Sequence, residues 1–170
     1  MNKSALAILA LAFTSVSAMA QDATYQDMGN AYVGLAGGGI NSKISVGGYD
    51  LEGSSSITSL IGGYNFNLGG GYFVGLEGDL NTFDFDNSFY SIRARGGIAM
   101  PDLSLAYVTA GYAGLSVEGE SFDGWALGTG YDYALTGNVK LRAEYMFIQH
   151  DIEGFDLNTN ALRAGVLMDF

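Results

Sequence analysis

Beyond residue 20 the side chains alternate in character with a period of two, and no segment sustains a period of 3.6. In the last stretch, Leu162, Ala164, Val166, Met168 and Phe170 alternate with Ala161, Arg163, Gly165, Leu167 and Asp169. In 124–135, Trp125, Leu127, Thr129, Tyr131, Tyr133 and Leu135 alternate with Gly124, Ala126, Gly128, Gly130, Asp132 and Ala134. In 139–150, Val139, Leu141, Ala143, Tyr145 and Phe147 alternate with Lys140, Arg142, Glu144, Met146, Ile148 and His150. Alternation bounded by turn residues reads as β-strand. It predicts eight strands, at about 30–40, 56–68, 72–82, 88–100, 103–117, 124–135, 139–150 and 159–170.

The predicted connections alternate in length. "LGGG" (68–71), "MPDL" (100–103) and "TGN" (136–138) are tight, whereas "NSKISVGGYDLEGS" (41–54), "DFDN" (84–87), "EGESFD" (118–123) and "DIEGFDLN" (151–158) are longer. Short turns at one end and longer loops at the other describe an up-and-down meander, which an even number of strands can close. The strands pair one large apolar face with one face of glycine, alanine and charge. A soluble barrel would bury the large residues and expose the charges. Here the charged face is also the small-residue face, which suits a cramped interior, so the apolar face is expected to meet lipid. Only 103–117 is apolar on both faces. Aromatic residues fall near strand ends, as interfacial girdles require. Phe66, Tyr72, Tyr133 and Phe170 are expected on the short-turn side, and Tyr90, Trp125 and Phe147 on the loop side. The fold class expected is all-β, an eight-stranded antiparallel up-and-down transmembrane β-barrel.

The N-terminus changes the domain picture. Lys3, the apolar run Ala5–Phe13 and the small residues of "SAMA" (17–20) make a secretory signal peptide, with cleavage expected between Ala20 and Gln21. The expected organisation is a signal peptide, 1–20, and one barrel domain, 21–170. Cysteine is absent, so this exported chain is expected to hold its fold without disulfides. Losing Lys3 with the signal leaves six basic residues against 18 acids, a net charge of −12. No basic patch forms, and nucleic acid is not an expected partner. Glycine is abundant and proline occurs once, which suits a sheet with close backbone approach.

Charge then sorts by parity. "SIRARGG" places Arg93 and Arg95 inward between outward Ile92, Ala94 and Gly96. The same count turns Lys140, Arg142 and Arg163 inward, with Glu77, Asp79, Asp132, Glu144 and Asp169. Pairing around Asp86 would set Arg93 opposite Asp79 and Arg95 opposite Glu77. A turn around Gly137 sets Arg142 opposite Asp132, and similar logic sets Glu144 opposite Arg163. Directly opposed residues on one face can form ion pairs, and buried charges need them. These residues are expected to form an internal polar network that plugs the barrel, because eight strands leave an interior that side chains just fill. The alternative, a narrow ion or small-solute channel with a charged constriction, uses the same residues.

Ten outward acids fall in the four longer loops: Asp50, Glu52, Asp84, Asp86, Glu118, Glu120, Asp123, Asp151, Glu153 and Asp156. They read as solvated loop residues, and no spacing matches an EF-hand, so no metal site is expected. Weak divalent bridging to surface polyanions is their functional reading. His150, the single histidine, is expected inward beside Asp151, with no serine placed near it by spacing. That is too little for a nucleophile and base, and "GGYNFNLGGG" (62–71) is not a phosphate loop. No catalytic residue and no cofactor are expected.

The motifs "AYVGLAGGG" (31–39), "GGYFVGLEGDL" (70–80), "SIRARGGIA" (91–99), "AYVTAGYAGL" (106–115), "GWALGTGYDYALTGNVKLRAEYMFI" (124–148) and "LRAGVLMDF" (162–170) follow one another in an order that matters. In that order the sequence resembles the small eight-stranded outer-membrane barrels of the OmpA-like and opacity type, the "porin family" with an outer membrane protein β-barrel domain. The resemblance covers essentially all of the chain after the signal. It implies a Gram-negative outer membrane, with outer-membrane lipid and lipopolysaccharide as surroundings. It also implies the β-barrel assembly machinery as a partner in biogenesis, reading a C-terminal signal of Leu162, Val166, Met168 and Phe170. Longer OmpA-type members add a peptidoglycan-binding domain; these residues stop at the barrel, so cell-wall tethering is not expected. The function expected is a structural, envelope-integrity role as a monomer, with a channel or a surface adhesin acting through the acidic loops as alternatives.

Overall fold

The computed structural model describes residues 31–46, 49–83, 87–117, 120–152 and 155–170. The signal segment lies outside them, as do Asp84, Asp86, Glu118 and Glu153. Eight strands follow in order: β1 (Ala31–Val46), β2 (Tyr49–Gly69), β3 (Tyr72–Phe83), β4 (Asn87–Ala99), β5 (Leu105–Val117), β6 (Glu120–Ala134), β7 (Val139–Ile152) and β8 (Phe155–Asp169). Each pairs antiparallel with its chain neighbour, and β8 returns to β1, so the sheet is a closed barrel. Closure leaves no sheet edge within the barrel wall, which is the condition for crossing lipid with strands.

The long connections expected from sequence are largely strand. β1 and β2 stay paired from Ala31–Tyr64 to Val46–Tyr49, so most of 41–54 is a ladder. β6 begins at Glu120, β7 runs to Ile152 and β8 starts at Phe155, which likewise shortens the other two loops. The polar runs "NSKISV" and "YDLEGSSS" keep the ladder, so the pairing continues where the composition reads as loop. Asp50, Glu52, Glu120, Asp123, Asp151 and Asp156 are therefore strand residues, and Glu52 and Asp123 are exposed.

The other end is tight. Gly69, Gly70 and Gly71 take φ of 82°, 62° and 86°, a left-handed run that glycine enters without a Cβ penalty. Leu103 also lies at φ 67°, closing the Pro101–Asp102 turn by donating its N–H to Met100 O at 2.9 Å. The start of β1 and the end of β8 meet here, with Phe170 N donating to Ala31 O at 2.9 Å.

The two faces separate by parity. Leu76, Ile92, Val108, Leu127, Leu141 and Leu162 all point outward and are exposed. Phe66, Tyr72, Tyr133 and Phe170 are exposed around the tight-turn end, and Tyr90, Tyr112 and Trp125 toward the other. Trp125 packs on the half-buried Phe147 with ring centroids 5.5 Å apart. The interior is layered. Phe73, Leu105 and Tyr107 cluster near the tight turns, while Ile40, Ile57, Phe89, Ala113, Leu115, Met146 and Ile148 fill the hairpin half. Between them lies charge. The doubly apolar β5 is thereby explained: its inner face supplies Leu105 and Tyr107 to one cluster and Ala113 and Leu115 to the other.

Candidate functional site

Four arginines and four carboxylates from β3, β4, β6, β7 and β8 meet at mid-height, each with side-chain exposure of 0–1 %. Glu77 is the hub. Its Oε1 accepts from Arg93 Nη2 at 2.6 Å, and its Oε2 from Arg142 Nη1 at 2.6 Å, Arg95 Nη1 at 3.2 Å and the Tyr32 hydroxyl at 2.5 Å. Asp79 Oδ2 accepts from Arg93 Nη2 at 2.7 Å and Arg163 Nη2 at 2.8 Å, and its Oδ1 accepts from Asn81 and Ser91. Arg142 binds Asp132 with two donors, Nε at 2.7 Å and Nη2 at 2.9 Å, and Arg95 Nη2 adds a third bond at 2.9 Å. Glu144 joins Arg93 Nη1 to Arg163 Nε, each at 2.8 Å. Lys140 and Asp169 pair separately toward the tight-turn end.

Registers account for part of this geometry. Asp132 faces Arg142, and Glu144 faces Arg163. On β3 and β4, however, Glu77 faces Arg93, Asp79 faces Ser91 and Gly75 faces Arg95. The expected oppositions of Arg93 with Asp79 and Arg95 with Glu77 are off by two residues. The hairpin centres on residue 85, since Phe83 pairs with Asn87, and moving the pivot by one shifts every partner by two. The ion pairs of Arg93 with Asp79 and Arg95 with Glu77 form all the same, diagonally.

Several members carry no formal charge and follow only from the fold. Tyr32 on β1, Ser59 on β2 and Thr109 on β5 complete a ring to which all eight strands contribute. Aromatic faces bound it below: the Arg95 guanidinium lies 3.8 Å from the Tyr107 centroid and 5.2 Å from that of Tyr32. Inward parity of Tyr32 and Tyr107 was the available sequence signal for both. Glycine supplies the space. Gly111 sits opposite Arg93, where a Cβ would lie 2.5 Å from Arg93 Cα, and Gly75 sits opposite Arg95.

Chemically, the arrangement pairs four guanidinium groups with four carboxylates, and only Arg93 Nε and Arg95 Nε among the ring's guanidinium nitrogens lack an acceptor. Burying such groups costs several kcal/mol each unless every one is paired, so the ring stands or falls as a unit. His150 is buried at the hairpin end of β7. Ser42 and Ser55, which no spacing argument places near it, border the same small cavity. Among the described residues no group of three or more His, Asp or Glu could hold a metal ion. On the outer face Leu162, Val166, Met168 and Phe170 form an exposed row along β8.

A closed antiparallel barrel with a lipid-compatible belt and a charged interior defines a transmembrane β-barrel protein. The outer membrane protein beta-barrel domain model matches residues 7–170, and the chain belongs to that family. Among solved structures, Neisserial surface protein A is similar with a TM-score of 0.56 and 20% identity, over 82% of this chain and 97% of that one. The N-terminal barrel domain of Pseudomonas aeruginosa OprF gives a TM-score of 0.53 at 16% identity, over 84% and 99%. Ail, the attachment invasion locus protein of Yersinia pestis, in complex with the heparin analogue sucrose octasulfate, gives 0.50 at 18%, over 81% and 99%. At these identities the likeness concerns the fold. No curated protein matches.

Proposed function

We propose that the chain is a structural protein of the cell outer membrane, a barrel closed by its own ion pairs that contributes to envelope integrity. The observation that carries this reading is the ring itself: eight charged side chains from five strands, bonded to one another with 0–1 % exposure. A channel would need those groups to part around a continuous water path, and an eight-stranded barrel has little room beyond its own side chains. Catalysis is not part of the proposal.

The tight turns face the periplasm and the longer hairpins the exterior, by the general rule for such barrels. Residues 1–20 direct export and are removed after Ala20. The outward row ending in Phe170 is read by the assembly machinery, and lipopolysaccharide and lipid then surround a monomer, with no cofactor and no nucleic-acid partner. Binding of a sulfated sugar such as the sucrose octasulfate in the Ail structure is disfavoured by an acidic outer end that includes Glu52 and Asp123.

A strain lacking the chain is expected to leak periplasmic enzymes and to become sensitive to detergent, with both restored by the wild-type gene. Unchanged leakage and sensitivity would overturn the envelope role.

A further inference from the structure

Above the ionic ring the interior turns apolar and then opens. Met146 marks the seam, since its Sδ lies 2.8 Å from Arg93 Nη1 while its side chain joins the apolar cluster. Above that cluster is a cup of about 220 Å³. Phe89, Leu115 and Ile148 line its apolar part, and Ser55, His150 and Thr159 supply the polar groups. Among the described residues no Asp, Glu, Lys or Arg lines it. Thr159 Oγ1 and Ser42 Oγ already bond to each other at 3.0 Å, which leaves Ser55 as the hydroxyl for an occupant.

We propose that this cup is a binding site for a small neutral molecule with one aromatic ring and one hydroxyl. Size sets the ring count: an apolar cavity of roughly 150 Å³ holds benzene, whereas drug-sized ligands need about 300 Å³ or more. Charge sets the class, because an anion or cation entering a cup whose described lining holds no Asp, Glu, Lys or Arg loses its hydration without gaining such a counter-charge. The single hydroxyl keeps a partner in Ser55, which a second polar group on the ring would lack among Phe89, Leu115 and Ile148. The ionic ring below blocks passage, so the site holds its ligand at the outer mouth without transporting it.

Phenol is the probe. Refolded full-length protein carrying ¹³C-labelled Ile, Leu and Val methyls is titrated with phenol in lipid nanodiscs, and methyl shifts are followed by NMR. Saturable shifts at Ile148 and Leu115 with one-site stoichiometry are expected, with none from benzoate, its charged counterpart. Gly53→Phe fills the cup from a position where a Cβ meets no atom within 4 Å, and should abolish saturation while the barrel stays heat-modifiable on gels. Should that variant not refold, Leu157→Trp fills the same space. Ser55→Ala should weaken binding about five-fold, the equivalent of one ordinary hydrogen bond. Shifts that stay linear with phenol concentration, or that persist unchanged in the filled variant, report partition into lipid and overturn the proposal.

Discussion

Arg142 on β7 and Glu77 on β3 stand four strands apart in an eight-stranded ring, and Arg142 Nη1 donates to Glu77 Oε2 at 2.6 Å across the lumen. A bond across the diameter does what neighbouring strand pairs cannot: it ties opposite walls together. Glu77 also accepts from Arg93 and Arg95 on the neighbouring β4, so removing it should unbalance the whole ring.

Glu77→Ala leaves Arg93, Arg95 and Arg142 short of one carboxylate at a site with 0 % side-chain exposure. The expected cost is about 3–5 kcal/mol, read from urea unfolding of the refolded protein in lipid vesicles. A loss below about 1 kcal/mol, the size of an exposed pair, would show that the ring is solvated.

Beside the ionic ring glycine is a spatial requirement at Gly111, whereas at outward Gly62 it is not. Gly111→Ala sets a Cβ against the Arg93 backbone and should destabilise by about 1–3 kcal/mol. Gly62→Ala points into open space, with nothing nearer than Tyr32 O at 3.8 Å, and should stay within about 0.5 kcal/mol of the parent. Equal effects in the two variants would refute the assignment of faces.

Val108, 64 % exposed, stands opposite Gly96 and Thr129 midway between the two aromatic girdles. Val108→Arg should therefore cost about 2–4 kcal/mol in vesicles, the range for an arginine at the bilayer midplane. A neutral result there would argue that this face does not meet hydrocarbon.

Trp125 is the single tryptophan and lies on the outer face near the hairpin end. Its fluorescence should be quenched most by lipids brominated close to the headgroup and least by those brominated near the chain end. Strongest quenching at the chain end would place it at the bilayer centre and displace the proposed membrane band.

Strand number, pairing order and the choice of face were legible because alternation with a period of two survives every local irregularity. Arg93 and Arg95 could be turned inward from "SIRARGG" alone, since Ile92 and Ala94 fix the opposite face. Their partners were less legible. The β3–β4 register depends on whether the hairpin pivots at 85 or 86, and "DFD" offers no glycine or proline to mark the turn. Contacts across the lumen, such as Arg93 with Glu144 at 2.8 Å, depend on barrel closure and arginine reach, which pairwise register does not contain. The long hairpin of β1 and β2 was hidden for another reason. Its polar, glycine- and serine-rich composition reads like a loop although the ladder runs through it.

Single-channel recording in planar bilayers tests the central claim most directly. Purified, refolded wild-type protein at neutral pH and moderate salt is expected to insert without discrete conductance steps if, as proposed, the ring from Glu77 to Arg163 plugs the lumen. Reproducible unitary openings whose number scales with the protein inserted would contradict the closed-barrel account.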